Sequence, residues 1–354
     1  MSIFKEKLAR LRAFFDKYER RIGLGFLIGG FIFDNLTLQR VDLFLDNLVL
    51  LIYLAVVAAC ILIIDIGKKL SYAAPYAMQF AIGGLFSGYI VFYFRSASLT
   101  ISWPFLLMLA VFFIGNEFFR KHYELLTFRL AIFFIAVFSY LIFSLPVLFH
   151  RMGADIFVLS GVLSLLIIAG LVQLIKKISH EHPARHYPLT ATTIGAIFLV
   201  FNLFYFTNVI PPIPLSLKEA GIYHRVQKVP QGYSALVEKR PWYDIFGGNK
   251  IHLAPGESAY VYSAVFAPTD LEAEISHHWY YYNEKSGEWQ DAGRIGFPLV
   301  GGRDGGYRGY SVKGNIAYGR WRVDILTERN QVVGRLKFWV VEAKEPLDLE
   351  SKIL

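Results

Sequence analysis

Two rhythms of hydrophobicity divide the chain. Up to about residue 210, apolar residues run almost unbroken near 22–38, 44–65, 74–95, 98–118, 128–149, 153–175 and 189–209. Runs of this length can cross roughly 30 Å of hydrocarbon as helices. The 22–38 run is the weakest, because Asp34 and Asn35 fall near its end. Beyond 210 the pattern shortens and alternates, near 221–227, 232–238, 259–266, 271–282, 287–296, 319–327 and 331–341. The turn sequences "PQG", "FGGN", "APGES", "NEKSGE", "VGGRDGG" and "ERNQ" separate these segments. Short alternating segments between such turns read as strands. The pattern therefore predicts an α-helical transmembrane bundle of about seven spans followed by an all-β antiparallel sandwich. Its parts are a basic N-terminal segment at 1–21, a multi-pass domain at 22–210, a spacer at 211–218 and the β domain at 219–354. Pro211, Pro212 and Pro214 favour an extended, semi-rigid spacer.

Charge supports the division and orients it. The chain is 55% hydrophobic and 18% charged, against about 25% charged in soluble proteins. Of the net charge of +8, residues 1–210 supply 18 Lys+Arg against 11 Asp+Glu. Those cations sit beside apolar runs, which points to a membrane and away from nucleic acid. Lys5, Lys7, Arg10, Arg12, Lys17, Arg20 and Arg21 precede the first run. Alternate connectors carry Lys68/Lys69, Arg120/Lys121/Arg129 and Lys176/Lys177/Arg185, while the others hold only Arg40, Arg95 and Arg151. Cytoplasmic connectors are the ones enriched in cations. The N-terminus is thus expected in the cytoplasm, and seven crossings put residues 211–354 outside; an even number would reverse this. The charged start, with no small-residue cleavage site, gives no signal peptide. Cys60 is the one cysteine and says nothing of redox compartment.

Polar residues in the spans are few. Asp34, Asp65, Glu117 and Asp155 fall near span ends, where water or headgroups are expected to reach them. Asp34, Asn35, Arg40, Asp42 and Asp46 form the densest group, at the expected outer face with Asp155. They read either as a polar site or docking point, or as a solvated turn with helix caps and a local ion pair. Gly25/Gly29 and Gly84/Gly88 are small pairs spaced for close helix packing. Pro104 and Pro146 are expected to kink or end helices. His180, His182 and His186 lie close together, but their spacing matches no strong zinc motif and Pro183 interrupts a helix.

The β domain raises the question of function. "HHWYYYN" at 277–283 is almost wholly ring-bearing. Alternation puts His277, Trp279 and Tyr281 on the core face and His278, Tyr280 and Tyr282 on the other. Likewise Trp321, Val323, Ile325, Leu336, Phe338 and Val340 face inward, while Arg322, Arg335, Lys337 and Trp339 face outward. If these strands share a sheet, His278, Tyr280, Tyr282, Arg322, Arg335, Lys337 and Trp339 form an aromatic-basic ligand-binding face. Rings stack on apolar faces of sugars, and cations attract anionic groups. The alternative is a face covered by the spacer, the membrane domain or headgroups. The glycine-rich "VGGRDGGYRGY" lacks a P-loop ending. It reads as a long hairpin connection, with Arg303, Asp304, Tyr307 and Arg308 as further contacts.

Across 277–340, His277, Trp279, Gly319, Trp321, Val323 and Phe338 reproduce a pattern. It is a His-x-Trp strand start, a Gly-rich middle, a Gly-x-Trp-x-Val strand and a Phe-bearing last strand. This resembles bacterial multi-pass membrane proteins ending in the module called domain of unknown function 2914. The resemblance implies a β-rich envelope module and no particular activity.

Two functions compete. One is a membrane-anchored binding or accessory protein of the bacterial inner membrane. Its outer sandwich would contact a glycan, a lipid headgroup or another membrane protein. The other is an enzyme or transporter acting on a lipid-linked substrate with the sandwich as a lid, using the outer-face polar group. A sensor ranks behind both, since the inner connectors are short. There is no Gly-x-Ser-x-Gly, no His-Glu-x-x-His and no nucleophilic cysteine. The sequence therefore assigns no catalytic residue, cofactor or metal.

Overall fold

In hydrocarbon a backbone must satisfy its own hydrogen bonds, and an apolar run does so as a helix. The structure, a computed structural model, describes residues 25, 28–38, 40–66, 73–96, 98–178, 186–239, 249–301 and 305–354. The basic segment at 1–21, Lys68, Lys69, His180, His182, Arg303 and Asp304 lie outside them. The helices are α1 (Phe44–Ile66), α2 (Ala74–Ser96), α3 (Leu99–Gly115), α4 (Leu126–Phe149), α5 (Ala154–Ile178) and α6 (His186–Phe206). Residues 28–37 are also helical, and a 3-10 turn, Phe119–Glu124, leads into α4.

Among the described residues, five helices are long and apolar enough to cross a membrane, against the seven runs read from the sequence. α3 falls short because it stops at Gly115, before Asn116 and Glu117; its 17 residues reach only about 25 Å. The run at 22–38 lies partly outside the described residues. Pro104 and Pro146 lie inside α3 and α4 and end neither.

The chain forms two compact units. The first spans residues up to Phe206, apart from Arg95–Trp103 and Pro146–Met152; the second joins those two segments to Thr207–Leu354. Within the first, a Cβ on Gly84 would come 2.6 Å from Tyr53, and one on Gly88 would come 3.0 Å from Leu50. α1 and α2 therefore meet along that pair, whereas a Cβ at Gly25 or Gly29 would meet nothing within 4 Å. α2 is fastened to α4 by Tyr89, which donates to the Ala136 carbonyl at 2.9 Å, and Tyr93, which donates to the Ser139 carbonyl at 2.7 Å. A buried hydroxyl between apolar helices needs such an acceptor.

The second unit holds eleven strands among the described residues. They are β1 (Ser216–Tyr223), β2 (Arg225–Val229), β3 (Gly232–Glu238), β4 (Lys250–Leu253), β5 (Ala259–Phe266), β6 (Glu272–Asn283), β7 (Glu288–Val300), β8 (Tyr307–Lys313), β9 (Gly319–Thr327), β10 (Val332–Glu342) and β11 (Leu349–Ile353). They form sheets in the orders β1-β5-β8, β4-β10-β9-β6-β7 and β11-β3-β2. Pairing is antiparallel except where β4 runs parallel to β10. The expected all-antiparallel sandwich is thus three sheets, one with a parallel edge. Ala259 and Val261 of β5 share a core with Trp279, Trp321, Val323, Leu336 and Phe338. Residues 211–215, read as a spacer, are buried and turn, with Leu215 N–H donating to the Pro212 carbonyl at 2.9 Å. The glycine-rich stretch is not a hairpin connection. Its Tyr307 and Arg308 belong to β8, which pairs with β5 in a different sheet from β7.

The contact at Gly84 gives a test. Gly84→Ala overpacks the helix pair, which costs about 1–3 kcal/mol. The melting temperature in detergent should drop, and Tyr53→Ala in the same chain should restore part of it.

Candidate functional site

The register of the five-stranded sheet decides what its outer face presents. β6 pairs with β9 so that Tyr280 faces Arg322 and His278 faces Asp324. β10 pairs with β9 so that Trp339 faces Arg320, Lys337 faces Arg322 and Arg335 faces Asp324. β7 adds Trp289 opposite Tyr282, Asp291 opposite Tyr280 and Arg294 opposite His278. Three rungs result. The first is Trp339, Arg320, Tyr282 and Trp289. The second is Lys337, Arg322, Tyr280 and Asp291. The third is Arg335, Asp324, His278 and Arg294. All seven residues expected on this face are therefore brought together.

The cations are interleaved with the rings. Arg320 Cζ lies 4.6 Å from the Trp339 ring centre and 5.3 Å from that of Tyr282. Arg322 Cζ lies 4.2 Å from Tyr280 and 4.9 Å from Trp289. Each guanidinium thus sits against two ring faces, a favourable electrostatic arrangement. In the third rung Arg335 grips Asp324 with two bonds, Nε–Oδ1 at 2.6 Å and Nη2–Oδ2 at 2.9 Å. His278 Nε2 is 2.7 Å from Asp291 Oδ2, and its Nδ1 is 2.9 Å from the Tyr280 hydroxyl. Asp291 is held below the usual carboxylate range, first by the Gly293 backbone N–H and then by His278. Burial, and then the Asp324 carboxylate, push the Tyr280 hydroxyl up. The first two rungs are the open ones: Trp339, 40% exposed, and Arg320 are exposed with Tyr282 and Trp289 half-buried, and Lys337 and Asp291 are exposed with Arg322 and Tyr280 half-buried. Trp289 was missed in the sequence, although a hairpin through "NEKSG" sets it opposite Tyr282.

Beneath the face, the His-x-Trp pair forms a polar staple between sheets. His277 is fully buried. Its Nε2 lies 2.8 Å from Ser263 Oγ on β5, and its Nδ1 lies 2.8 Å from Ser311 Oγ on β8. Trp279 Nε1 donates to the same Ser311 oxygen at 3.0 Å. An indole is donor only, so Ser311 accepts from Trp279 and its own proton is available to His277 Nδ1. With a serine hydroxyl at each ring nitrogen, the neutral imidazole is satisfied in full, one nitrogen donating and the other accepting. Burial pushes its pKa down to about 3.

The polar group at the start of α1 pairs locally. Arg40 Nε donates to Asp42 Oδ1 at 2.9 Å, and the Arg40 backbone N–H donates to Asp46 Oδ2 at 3.2 Å. Asp34 and Asn35 lie on the helical segment at 28–37, and Asp155 is exposed in the first turn of α5. Asp65 overturns its expectation. It is not open to water but buried in an ion pair with Arg129, which is 1% exposed. Arg129 Nη1 also donates to the Tyr123 carbonyl at 2.9 Å. Tyr123 in turn bonds Asn116, which donates to the Gln79 carbonyl at 2.8 Å. The pair joins the end of α1 to the start of α4.

One further cluster lies in the second unit. Glu238 accepts from the His252 backbone N–H at 2.6 Å and lies 2.9 Å from its Nδ1 and 3.1 Å from His224 Nε2. Burial alone would raise the carboxyl; the bonds from His224 and His252 outweigh it and hold it at about 2. Among the described residues, no three His, Cys, Asp or Glu side chains are grouped to hold a metal ion.

Residues 272–340 match the profile of the family described as "Protein of unknown function (DUF2914)". No curated protein matches. Among solved structures, a beta-glucosidase from Listeria innocua with gluconolactone is 13% identical at a TM-score of 0.19, over 30% of this chain and 16% of that one. Its isofagomine complex is 12% identical at 0.20, over 38% and 18%. A Pseudomonas fluorescens alkylpurine DNA glycosylase bound to DNA is 10% identical at 0.21, over 86% and 99%. The chain thus spans less than a fifth of the glucosidase, and scores this low carry no argument about fold or activity.

Two outcomes are expected. His277 titrates at about 3 when folded against about 6.5 when free, so the unfolded chain binds the extra proton between those values. Its contribution is complete above about pH 6.5 and is lost as pH falls toward 3. Between pH 6.5 and 5, melting of the second unit should steepen by up to about 1.4 kcal/mol per pH unit, and His277→Gln should flatten that slope; an equal slope in the variant contradicts the staple. Removing one partner of a buried ion pair costs about 3–5 kcal/mol. Arg129→Met should therefore lower the melting temperature in detergent far more than Asp65→Leu/Arg129→Met together.

Proposed function

We propose that this chain, whose residues 272–340 carry the module of that uncharacterised family, is a membrane-anchored binding protein of the bacterial cell envelope. On this reading the apolar segments make seven crossings of the inner membrane, the N-terminus is cytoplasmic and the β unit lies outside. The first rung of the sheet face binds an acidic glycan. The carrying observation is the set Trp339, Arg320, Tyr282 and Trp289, with the guanidinium already seated between Trp339 and Tyr282. A sugar ring can stack on the open Trp339 face, while Arg320 offers charge to a carboxylate.

Two features support the membrane arrangement. The second unit includes Arg95–Trp103 and Pro146–Met152 along with Thr207–Leu354. These connectors are the cation-poor ones, which belong outside by the charge rule. Their alternation with the helices also favours a crossing by α3, whose short length a thinned bilayer can match. The enzyme or transporter reading gains no comparable support, because Arg40 pairs with Asp42 beside the start of α1.

Full-length protein in an uncharged detergent provides the test, with alginate oligomers as the acidic probe and cello-oligomers as the neutral one. Calorimetry should show saturable binding of the acidic oligomer. Tyr282→Ala/Trp339→Ala should weaken it at least about tenfold, a loss of about 1.4 kcal/mol. Undiminished binding in that variant, or equal binding of the neutral oligomer, contradicts the proposal.

A further inference from the structure

A recess of about 500 Å³ in the second unit is lined by Arg95, Leu99, Leu217, Val333, Arg335 and Lys337, with Asn249 and the Gly334 backbone beside them. All of these residues belong to that one unit. Three are cations, and none is a carboxylate. We propose that this recess binds the phosphate headgroup of an anionic membrane lipid. The inference rests on the membrane reading of α2 and α3 and not on glycan binding by the first rung.

The lining is amphipathic in a way that suits such a ligand. Arg95 stands in the last turn of the apolar helix α2. Leu99 opens the apolar helix α3 and is 56% exposed. A residue pair at the junction of two membrane-crossing helices lies at headgroup depth, where an arginine at a helix end reaches the interface and its lipid phosphates. From β10, Arg335 and Lys337 stand two residues apart and so share the outer face. Arg335 is held by Asp324 through Nε and Nη2, which leaves its Nη1 edge outside that pair. A fixed guanidinium edge matches phosphate oxygens in geometry, and Lys337 adds a mobile point charge.

The backbone shapes the rest of the recess. Pairing of β10 with β9 shifts between Val332 and Gly334, a bulge that re-aims the strand. A Cβ on Gly334 would overlap the Leu217 side chain, so the glycine lets Leu217 seat against β10 as an apolar wall. Asn249 is anchored by its carbonyl, which accepts the Trp339 N–H at 2.8 Å. Leu99, Leu217 and Val333 thus lie beside three cations. Charge alone would serve inorganic phosphate equally well; the apolar share selects a ligand with a hydrocarbon part.

Full-length protein in uncharged detergent, titrated with dioctanoyl phosphatidate, tests the proposal. Saturable binding is expected, reduced about tenfold or more by Arg95→Gln and by Lys337→Gln, partly regained in Arg95→Lys, with melting temperatures unchanged. Dioctanoyl phosphatidylcholine should not compete, and inorganic phosphate should compete only at far higher concentration. Unchanged affinity in both Gln variants overturns the site. Equal competition by phosphatidylcholine overturns the charge requirement, and equal competition by inorganic phosphate overturns the lipid source. Tyr282→Ala/Trp339→Ala should keep phosphatidate binding, so failure of the glycan reading and failure of this one are distinguishable; loss in that variant overturns a separate recess.

Discussion

The outer face of the β unit depends on the register between β6 and β9. Side chains alternate with period two, so a slip of one residue would turn every ring on β6 to the opposite side. The register that sets Tyr280 against Arg322 also sets Trp279 against Val323. One pairing therefore produces both the buried core and the outer ladder. His277 is its lock. The imidazole reaches Ser263 on one strand and Ser311 on another, and a slipped β6 would leave those buried groups without their partner, a costly exchange. This gives the His-x-Trp and Gly-x-Trp-x-Val pattern a physical meaning: it specifies a sheet interface, and the ladder above it follows from geometry.

On the binding role proposed above, the ladder also keeps its cations ready. An arginine free in water samples many rotamers, and ordering it opposes binding. Here Arg320 and Arg322 are each stacked against two rings, and Arg335 is fixed by Asp324. Part of the ordering cost is met in folding. The same contacts cover much of the aromatic surface, which leaves Trp339 as the exposed ring of the ladder.

Much of this was legible in the sequence because alternation and hydrophobic run length are local properties. The outward set from His278 to Trp339 follows from counting alone. What escaped depends on distance or on weak local signals. Asp65 reads as an ordinary span-end charge and Arg129 as a connector cation, since nothing near either residue announces a partner 64 positions away. Tyr307–Lys313 was hidden by flanking glycines, and Lys250–Leu253 is only four residues long. Ser263 and Ser311 read as small strand residues until His277 is placed between them. α3 shows the opposite failure: an apolar run overstates the helix, because Gly115 and Asn116 stop it early.

The central claim is that the ladder faces the outside of the membrane, and sidedness tests it most directly. Cys60, the one native cysteine, is buried in α1. In a Cys60→Ser background, Lys285→Cys places a thiol in the exposed turn between β6 and β7. A membrane-impermeant maleimide applied to right-side-out spheroplasts should label it fully before lysis. Labelling only after the membrane is opened would put the β unit in the cytoplasm and contradict the account.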